Sequence, residues 1–448
     1  MNKFTYLAFI TIFLISIATN FINIEQRYSV GWDQTRDAEI VYEQIVQQKD
    51  IVLLGPRVVG PSGFFLGPMH YYLLIPFYAF FNGDMIAAAY LSATIGVLTT
   101  LALMYISYKI FNLKAALTSG LISALLPQVV SWNVMYLPLL TITIFWLCRK
   151  LLEKKYNMII WAGGLVGIGL HIHFTVVILL ILVILAVILS KPEKREYKKI
   201  FHFTFLAFGI IILTLLPLLV FDLAHSFMNL HLFFNFFFNN SSSGFKLNFL
   251  ESLRVFLNAF DIFNLFKSTF YSALFSLLFF SIALISAYYF DRKKFLFTSI
   301  WLFLPLILFS FYNGNITEYY FLTTGYIAIF YLGLLSSHLD KRYSLVFCVA
   351  IIFAFLQAKS IIQTKDPFAL INQKKVVHFL VTQQKDSKFN LSYEIFAGQN
   401  AAFPYLFRRV QKQPTNTNYS HLYTVINMPT EEKYNELEVF GGFGLVRR

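Results

Sequence analysis

Two aspartates four residues apart, Asp33 and Asp37, stand in the segment Trp32-Asp33-Gln34-Thr35-Arg36-Asp37, which opens a run with helical apolar spacing at Ala38, Val41, Tyr42, Ile45 and Val46. At i and i+4 the two carboxylates share the face that continues through Val41 and Ile45, while Glu39, Glu43, Gln44, Gln47 and Gln48 form the polar face. Such spacing describes an amphipathic helix at a membrane surface. Carboxylates on its apolar side are costly unless something pairs or uses them. One reading makes Asp33 a general base at that interface. The structural alternative makes Asp33 the helix cap and puts Asp37 in the first turn, where the helix dipole favours a negative charge.

Downstream, Gly55-Pro56-Arg57, Gly60-Pro61 and Gly67-Pro68-Met69-His70-Tyr71-Tyr72 crowd three Gly-Pro steps into a short stretch, so no regular helix can run through it. Irregular backbone beside a membrane is tolerated where it lines a cavity or is buried in protein. Tyr71 and Tyr72 fit either a cavity wall or an interfacial aromatic belt. Arg57 and His70 are candidates to hold an anion here, with Lys246, Arg254 and Lys267 further along; each also fits an ordinary surface charge. His171 and Glu318, near helix ends, are candidate substrate contacts, with Tyr319 beside Glu318. His171, His173, His225 and His231 fall near one boundary without metal-ligand spacing; a divalent metal is possible but not indicated, and no cofactor is expected.

The elements that must position these residues are membrane helices. Of 448 residues 57% are hydrophobic and 13% charged, against about a quarter charged in ordinary soluble domains. The net charge of +13 accompanies no soluble nucleic-acid-binding pattern and reads as topology. Cys148 and Cys348 both lie in apolar segments and indicate neither a disulfide framework nor a metal site. The first apolar run, Phe4 to Phe21, lacks a small-residue cleavage site and is read as a retained helix.

Basic clusters at Lys109 and Lys114, Arg149 to Lys155, Lys191 to Lys199, Arg292 to Lys294, and Lys341 with Arg342 mark cytoplasmic loops; the connections near Ser131, His171 and Asn313 carry no Lys or Arg and belong outside. The run from Met158 to Ser190 is too long for one upright helix and has basic flanks at both ends, so it must go out and turn back near His171. The expected spans are 4–22, 85–110, 115–131, 133–148, 158–172, 174–190, 200–220, 269–290, 295–311, 319–335 and 344–358. That makes about eleven crossings of the plasma membrane, with the N-terminus cytoplasmic and the C-terminus extracytoplasmic. The fold class is thus an all-α polytopic membrane domain over 1–358, with outer loops 23–84 and 222–268, followed by a small extracytoplasmic α/β domain over 359–448. In that tail a helix should open at Asp366-Pro367 and run to about Gln384. Strands are expected at Phe389 to Ile395 and His421 to Ile426, and a second helix near Ala401 to Gln411. No internal repeat is present, and Asn239 to Ser243 reads as a loop.

The order of a first helix, the Trp32 to Asp37 segment, a surface helix, Gly67 to Tyr72 and then a long helix resembles the GT-C glycosyltransferases, closest to the protein O-mannosyltransferase and lipid A aminoarabinose transferase group. Trp132-Asn133, Gly169-Leu170-His171-Ile172-His173-Phe174, Pro217 through Phe221-Asp222-Leu223 to His225, and Glu318-Tyr319-Tyr320 add to the resemblance, which spans about 1–358. It implies inverting transfer of a hexosyl or pentosyl group from a polyprenyl-phosphate donor to a lipid, glycan or protein acceptor on the outer face, with Asp33 matching the family's catalytic base. Asp37, Arg36, Arg57, His70, Tyr71, Tyr72, His171, Glu318 and Tyr319 become the expected substrate-binding set. Gln34 departs from the family's second acid. Gly67 stands where the aminoarabinose transferases have a phosphate-binding lysine, so phosphate binding must come from another cation. The partners expected are the lipid-linked donor, the acceptor and membrane lipids. A secondary transporter or lipid flippase is the alternative, but such proteins tend to show repeats and mid-membrane charges. A non-catalytic scaffold would not need two carboxylates on an apolar face.

Overall fold

The computed structural model describes residues 3–58, 63–127, 131–239, 247–258, 269–312, 314–338, 343–384, 388–415, 422–429, 434 and 436–447. Each apolar run folds as a helix: Lys3–Phe21, Ile86–Ile110, Leu113–Ala124, Leu137–Leu152, Met158–Leu170, Val176–Leu189, Tyr197–Thr214, Thr269–Phe290, Phe295–Phe309, Leu322–Ser336 and Tyr343–Gln363. Counting adjoining 3-10 turns, five stretches among the described residues are long and apolar enough to cross a membrane upright: Ile86–Ile110, Asn133–Leu152, Lys194–Thr214, Phe270–Phe290 and Glu318–Ser336. Shorter apolar helices, including Met158–Leu170 and Val176–Leu189, pack among them. The long run between the two basic flanks therefore does break, at the turn 171–175.

Side chains draw the basic loops to one end of the bundle. Lys154 is 3.6 Å from Glu193 and 3.2 Å from Glu196, Lys294 is 2.8 Å from Glu153, and Arg149 pairs with Asp291. Lys341 and Arg342 lie outside the described residues. Within the bundle, small hydroxyl side chains let helices approach closely and then bond across the contact. Ser16 donates to Thr100 (3.3 Å), Thr100 and Ser123 are 3.0 Å apart, and Ser119 donates to Ser107 (2.9 Å).

At the other end the first outer loop begins with the helix Trp32–Ala38, which runs on as a π-helix over Glu39–Gln47. An extended stretch follows, then a bridge between Arg57 and Phe65, and then the helix Met69–Phe80. The second outer loop holds more helix than expected. Leu216–Ala224 is followed by a second helix bent 104° from it, because the Asp222 carboxylate accepts the Asn229 N–H at 2.7 Å and turns the chain. A further helix, Phe249–Leu257, carries Arg254. Lys246 and Lys267 are outside the described residues, as are 240–243 of the expected Asn239 to Ser243 loop.

The tail forms the helices Leu370–Gln383 and Ala402–Arg409 with β1 (Asn390–Glu394), β2 (Leu422–Asn427), β3 (Leu437–Phe440) and β4 (Phe443–Arg447). The sheet order is β1-β2-β4-β3, with β1 parallel to β2 and the other pairs antiparallel. The hairpin β3–β4 lies beyond the expected elements: its strands are short, and Gly441, Gly442 and Gly444 interrupt any alternation. The preceding helix, Tyr343–Gln363, runs past the expected boundary at 358.

The tail and the first outer loop share one hydrophobic core, in which Tyr28, Val41, Tyr71 and Tyr78 join Leu370, Val377, Phe403 and Tyr405. Polar links reinforce it. The Leu370 N–H donates to the Tyr28 carbonyl (2.7 Å), Tyr405 donates to the Gly83 carbonyl (2.6 Å), Lys374 pairs with Asp84 (2.7 Å), and Arg408 clasps Glu39 and Glu43 from the polar face of the surface helix. Those two glutamates therefore meet the tail, while Gln44, Gln47 and Gln48 of the same face stay exposed.

Candidate active site

Asp33 occupies the first turn of the Trp32–Ala38 helix. The cap is Gly31, whose N–H donates to Gln34 Oε1 at 3.0 Å, so the capping role considered for Asp33 belongs to another residue. Asp33 instead accepts from Arg36 Nη1 at 2.7 Å and keeps 43% of its side chain exposed. Gln34, which replaces an expected acid, serves as the cap's partner.

Arg36 is a bridge between two carboxylates. Its Nε and Nη2 donate to Asp37 Oδ1 at 3.0 and 2.7 Å, and Asp37 Oδ2 accepts from His70 Nε2 at 2.8 Å. His70 Nδ1 in turn lies 3.4 Å from the Tyr136 hydroxyl. Asp37 and His70 are fully buried. Burial, the largest single influence on Asp37, pushes its carboxyl up, yet His70 and Arg36 together hold it below the ordinary carboxylate value. Burial likewise pulls the Arg36 guanidinium down, and Asp37, Tyr71 and Asp33 together more than reverse it. Burial raises the Tyr71 hydroxyl, with Arg36 opposing. Asp37, His70 and Tyr71 thus lie behind Asp33, each at most 1% exposed.

In front of Asp33 lies a cavity of about 310 Å³, whose walls include Asp33, Arg57, Asn133, His173, Tyr319 and Tyr320. Arg57 is held by its own hairpin. Its Nε donates to the Gly63 carbonyl (2.8 Å) and its guanidinium lies over the Phe65 ring, 5.1 Å from the centroid. No hydrogen bond among the described residues engages its Nη groups. Asn229 grips that hairpin from the second outer loop: the Phe65 N–H donates to Asn229 Oδ1 (2.7 Å) and Asn229 Nδ2 donates to the Phe65 carbonyl (3.1 Å). Asn133 ties the wall to the histidine turn by donating to the Ile172 carbonyl.

His173 is 6% exposed and packs against Tyr319 and Tyr320, with ring centroids at 5.8 and 5.6 Å. Burial depresses it to about 3, so it is a neutral imidazole. Its Nδ1 lies 2.9 Å from the Thr175 hydroxyl and accepts the Thr175 N–H at 3.3 Å; with the hydroxyl also donating to Nδ1, the proton sits on Nε2 as a donor. The sequence offers Trp132, Asn133 and Tyr320 only as parts of motifs, and His173 also as one of four histidines near one boundary; their presence at helix ends was the available signal.

The remaining expected contacts lie elsewhere. Tyr72 donates to the Val52 carbonyl (2.7 Å) and braces the extended stretch. Glu318 is not part of the cavity wall. His171 Nε2 donates to the Thr214 carbonyl (2.6 Å), and a Cβ on Gly67 would fall 1.8 Å from its Nδ1. The His171 ring thus occupies the space a side chain at position 67 would need, and glycine stands where a lysine had been the expected pattern. Among the described residues, no group of three or more His, Cys, Asp or Glu side chains is arranged to hold a metal ion.

Residues 66–221 match the family model for dolichyl-phosphate-mannose-protein mannosyltransferase. No curated protein matches the chain. Among solved structures, ArnT from Cupriavidus metallidurans is similar with a TM-score of 0.60 at 13% identity, over 99% of this chain and 97% of that one, in its apo state and bound to undecaprenyl phosphate. The oligosaccharyltransferase AglB from Archaeoglobus fulgidus, in complex with an inhibitory peptide and a dolichol-phosphate, is similar with a TM-score of 0.55 at 11% identity, over 95% of this chain and 69% of that one. At such identities the structural likeness concerns the fold. The chain thus shares the fold of ArnT and AglB, and over residues 66–221 it resembles the protein mannosyltransferase family, in line with the resemblance expected from its motifs.

Proposed function

We propose that the protein is an inverting glycosyltransferase that moves a sugar from a polyprenyl-phosphate donor to an acceptor hydroxyl at the extracytoplasmic face. The observation that carries this reading is the joint presence, on one cavity wall, of a carboxylate, Asp33, and a guanidinium, Arg57, whose Nη groups have no partner among the described residues. Asp33 accepts the acceptor's hydroxyl proton as its oxygen attacks the anomeric carbon. The bond from that carbon to the phosphate oxygen breaks with inversion, and the phosphate leaves with the electron pair. Arg57 neutralises the charge gathering on the leaving group, aided by the His173 Nε2–H. Asp37 and His70 act behind Asp33 by holding Arg36, which fixes the base's orientation.

The donor's lipid-linked phosphate is supported by the ligands bound in similar folds, undecaprenyl phosphate on ArnT and dolichol-phosphate on AglB. The proposed topology has eleven crossings, a cytoplasmic N-terminus and an extracytoplasmic tail; gathering of three basic loops at the end opposite the cavity supports it. The test is turnover by the purified protein of polyprenyl-phosphate-linked sugars, with no ion gradient applied. Release of polyprenyl phosphate coupled to a new glycoside is the expected result. Absence of turnover, together with gradient-dependent lipid movement in vesicles, would put the transporter class in its place.

A further inference from the structure

A second cavity, about 340 Å³, also opens at Asp33, between the first outer loop and the tail. Asp33 and Trp132 line both cavities while Arg57 lines only the first, so a molecule in the second one meets the carboxylate without meeting Arg57. Its volume lies at the low end of ligand pockets, about 300–1,000 Å³. Its walls have a particular chemistry. Trp32, 64% exposed, lies beside the tail loop at Gly398. The backbone there takes φ +90, and a Cβ would come 3.3 to 3.6 Å from Cδ2, Cε3 and Cε2 of the indole. A glycine lets that main chain sit flat on one face of the ring, and the ring's remaining surface is left to the cavity.

Around this platform stand Asp366, Gln34 and Gln399. The Gln34 and Gln399 side-chain oxygens are used within the protein, accepting from the Gly31 N–H (3.0 Å) and Asn427 Nδ2 (2.8 Å). Their amide nitrogens have no partner among the described residues. Asp366 Oδ1 accepts the Phe368 N–H (2.8 Å), and its other oxygen has no described partner. Among the described lining residues there is no Lys, Arg or His, while Asp33 and Asp366 supply two carboxylates.

We infer that this second cavity is the acceptor site and that the acceptor is a neutral saccharide. The inference rests on the glycosyl-transfer reading above. A pyranose has one face of axial C–H groups, which the electron-rich face of an indole attracts. Its rim of hydroxyls both donates and accepts, matching two carboxamide N–H₂ groups and two carboxylates. No described cation lines this cavity to receive a phosphorylated acceptor: Arg36 is already paired with Asp33 and Asp37, and Asp366 adds a negative charge of its own. The hydroxyl that reacts is the one reaching Asp33, which takes its proton as the new glycosidic bond forms in the adjoining cavity.

The test uses the purified full chain in lipid nanodiscs. An array of neutral oligosaccharides, Ser/Thr-containing peptides and phosphorylated lipid A are each offered as acceptors with the polyprenyl-phosphate donor. Tryptophan fluorescence is titrated with the same probes. Transfer to at least one neutral oligosaccharide is expected. Trp32→Ala should raise the KM for it tenfold or more, with a smaller change in kcat and loss of the fluorescence response, while Trp32→Phe should restore most of the affinity. Transfer to peptide or lipid A but to no oligosaccharide overturns the inference and leaves glycosyl transfer standing. So does an unchanged saccharide KM in Trp32→Ala. If no acceptor is used and no polyprenyl phosphate is bound, the transfer reading itself fails; if polyprenyl phosphate is bound but no saccharide on the array is bound or used, only the saccharide inference falls.

Discussion

Replacing Asp33 with asparagine separates catalysis from architecture. The side chain keeps its shape and loses its basicity and its charge. Its one described partner is Arg36, and the pair is 43% and 30% exposed at the two side chains. A pair that open to solvent contributes about 0–1 kcal/mol, and Arg36 keeps two bonds to Asp37 when Asp33 is neutralised. Nor is a cap lost, since Gly31 holds that position. Folding stability should therefore fall by no more than about 1 kcal/mol. Loss of a general base typically costs about a hundredfold to ten-thousandfold in rate, equivalent to about 3–5 kcal/mol of transition-state stabilisation.

Asp37→Asn should show the reverse balance. It leaves Arg36 and His70 facing a neutral amide in a fully buried setting, and breaking a buried pair from one side costs about 3–5 kcal/mol in stability. Because the folded carboxyl is held below its unfolded value, this contribution is present above about pH 4 and lost only as pH falls through the lower folded value, so the comparison belongs at neutral pH. The assay is turnover of a polyprenyl-phosphate sugar by each purified variant, alongside its thermal midpoint. Asp33→Asn with near-normal turnover refutes the base assignment. If Asp33→Asn proves the less stable of the two, the pairing scheme around Arg36 is wrong.

Arg57→Ala should weaken binding of polyprenyl phosphate about tenfold or more, as for a lost charge-assisted contact, with little effect on acceptor affinity; equilibrium binding of each substrate measures this. Gly67→Ala should destabilise by about 1–3 kcal/mol through overpacking, and His171→Ala in the same chain should recover part of that loss, as read by denaturation midpoints. His173, held neutral in the fold, binds a proton below pH 6.5 only when unfolded. Stability should therefore drop by up to about 1.4 kcal/mol per pH unit below that point, and the slope should flatten in His173→Asn. Single cysteines placed in a chain lacking Cys148 and Cys348 should react with an impermeant reagent in intact cells when in the tail at Lys375, and stay protected at Lys194. Labelling at Lys194 would reverse the orientation.

Much of this molecule could be read from periodicity. Hydrophobic length set the helices, because a span must satisfy its own backbone and cover about 30 Å of hydrocarbon. The turn at 171–175 followed from a run too long for one helix with basic flanks at both ends. Asp33 stood out because a carboxylate at that phase of an amphipathic helix has to be used or paired. The tail's first four elements after the bundle were legible from Asp366-Pro367 and periodicity; β3 and β4 were not, since two short strands broken by glycines give little periodic signal.

Partnership was legible nowhere in the chain, because it depends on residues far apart in sequence. The sequence determined that a carboxylate, a cation and aromatic helix ends would lie near the outer surface. Only the tertiary structure decided that Arg36 spends its guanidinium on two carboxylates, that His70 lies buried behind them, and that His171 closes over Gly67. It likewise decided that His173 and Tyr320 join the wall facing Asp33. A helix phase fixes which face a side chain takes; which other side chains come to that face is set by the packing of elements from Trp32 to the tail, and packing is a property of the whole fold.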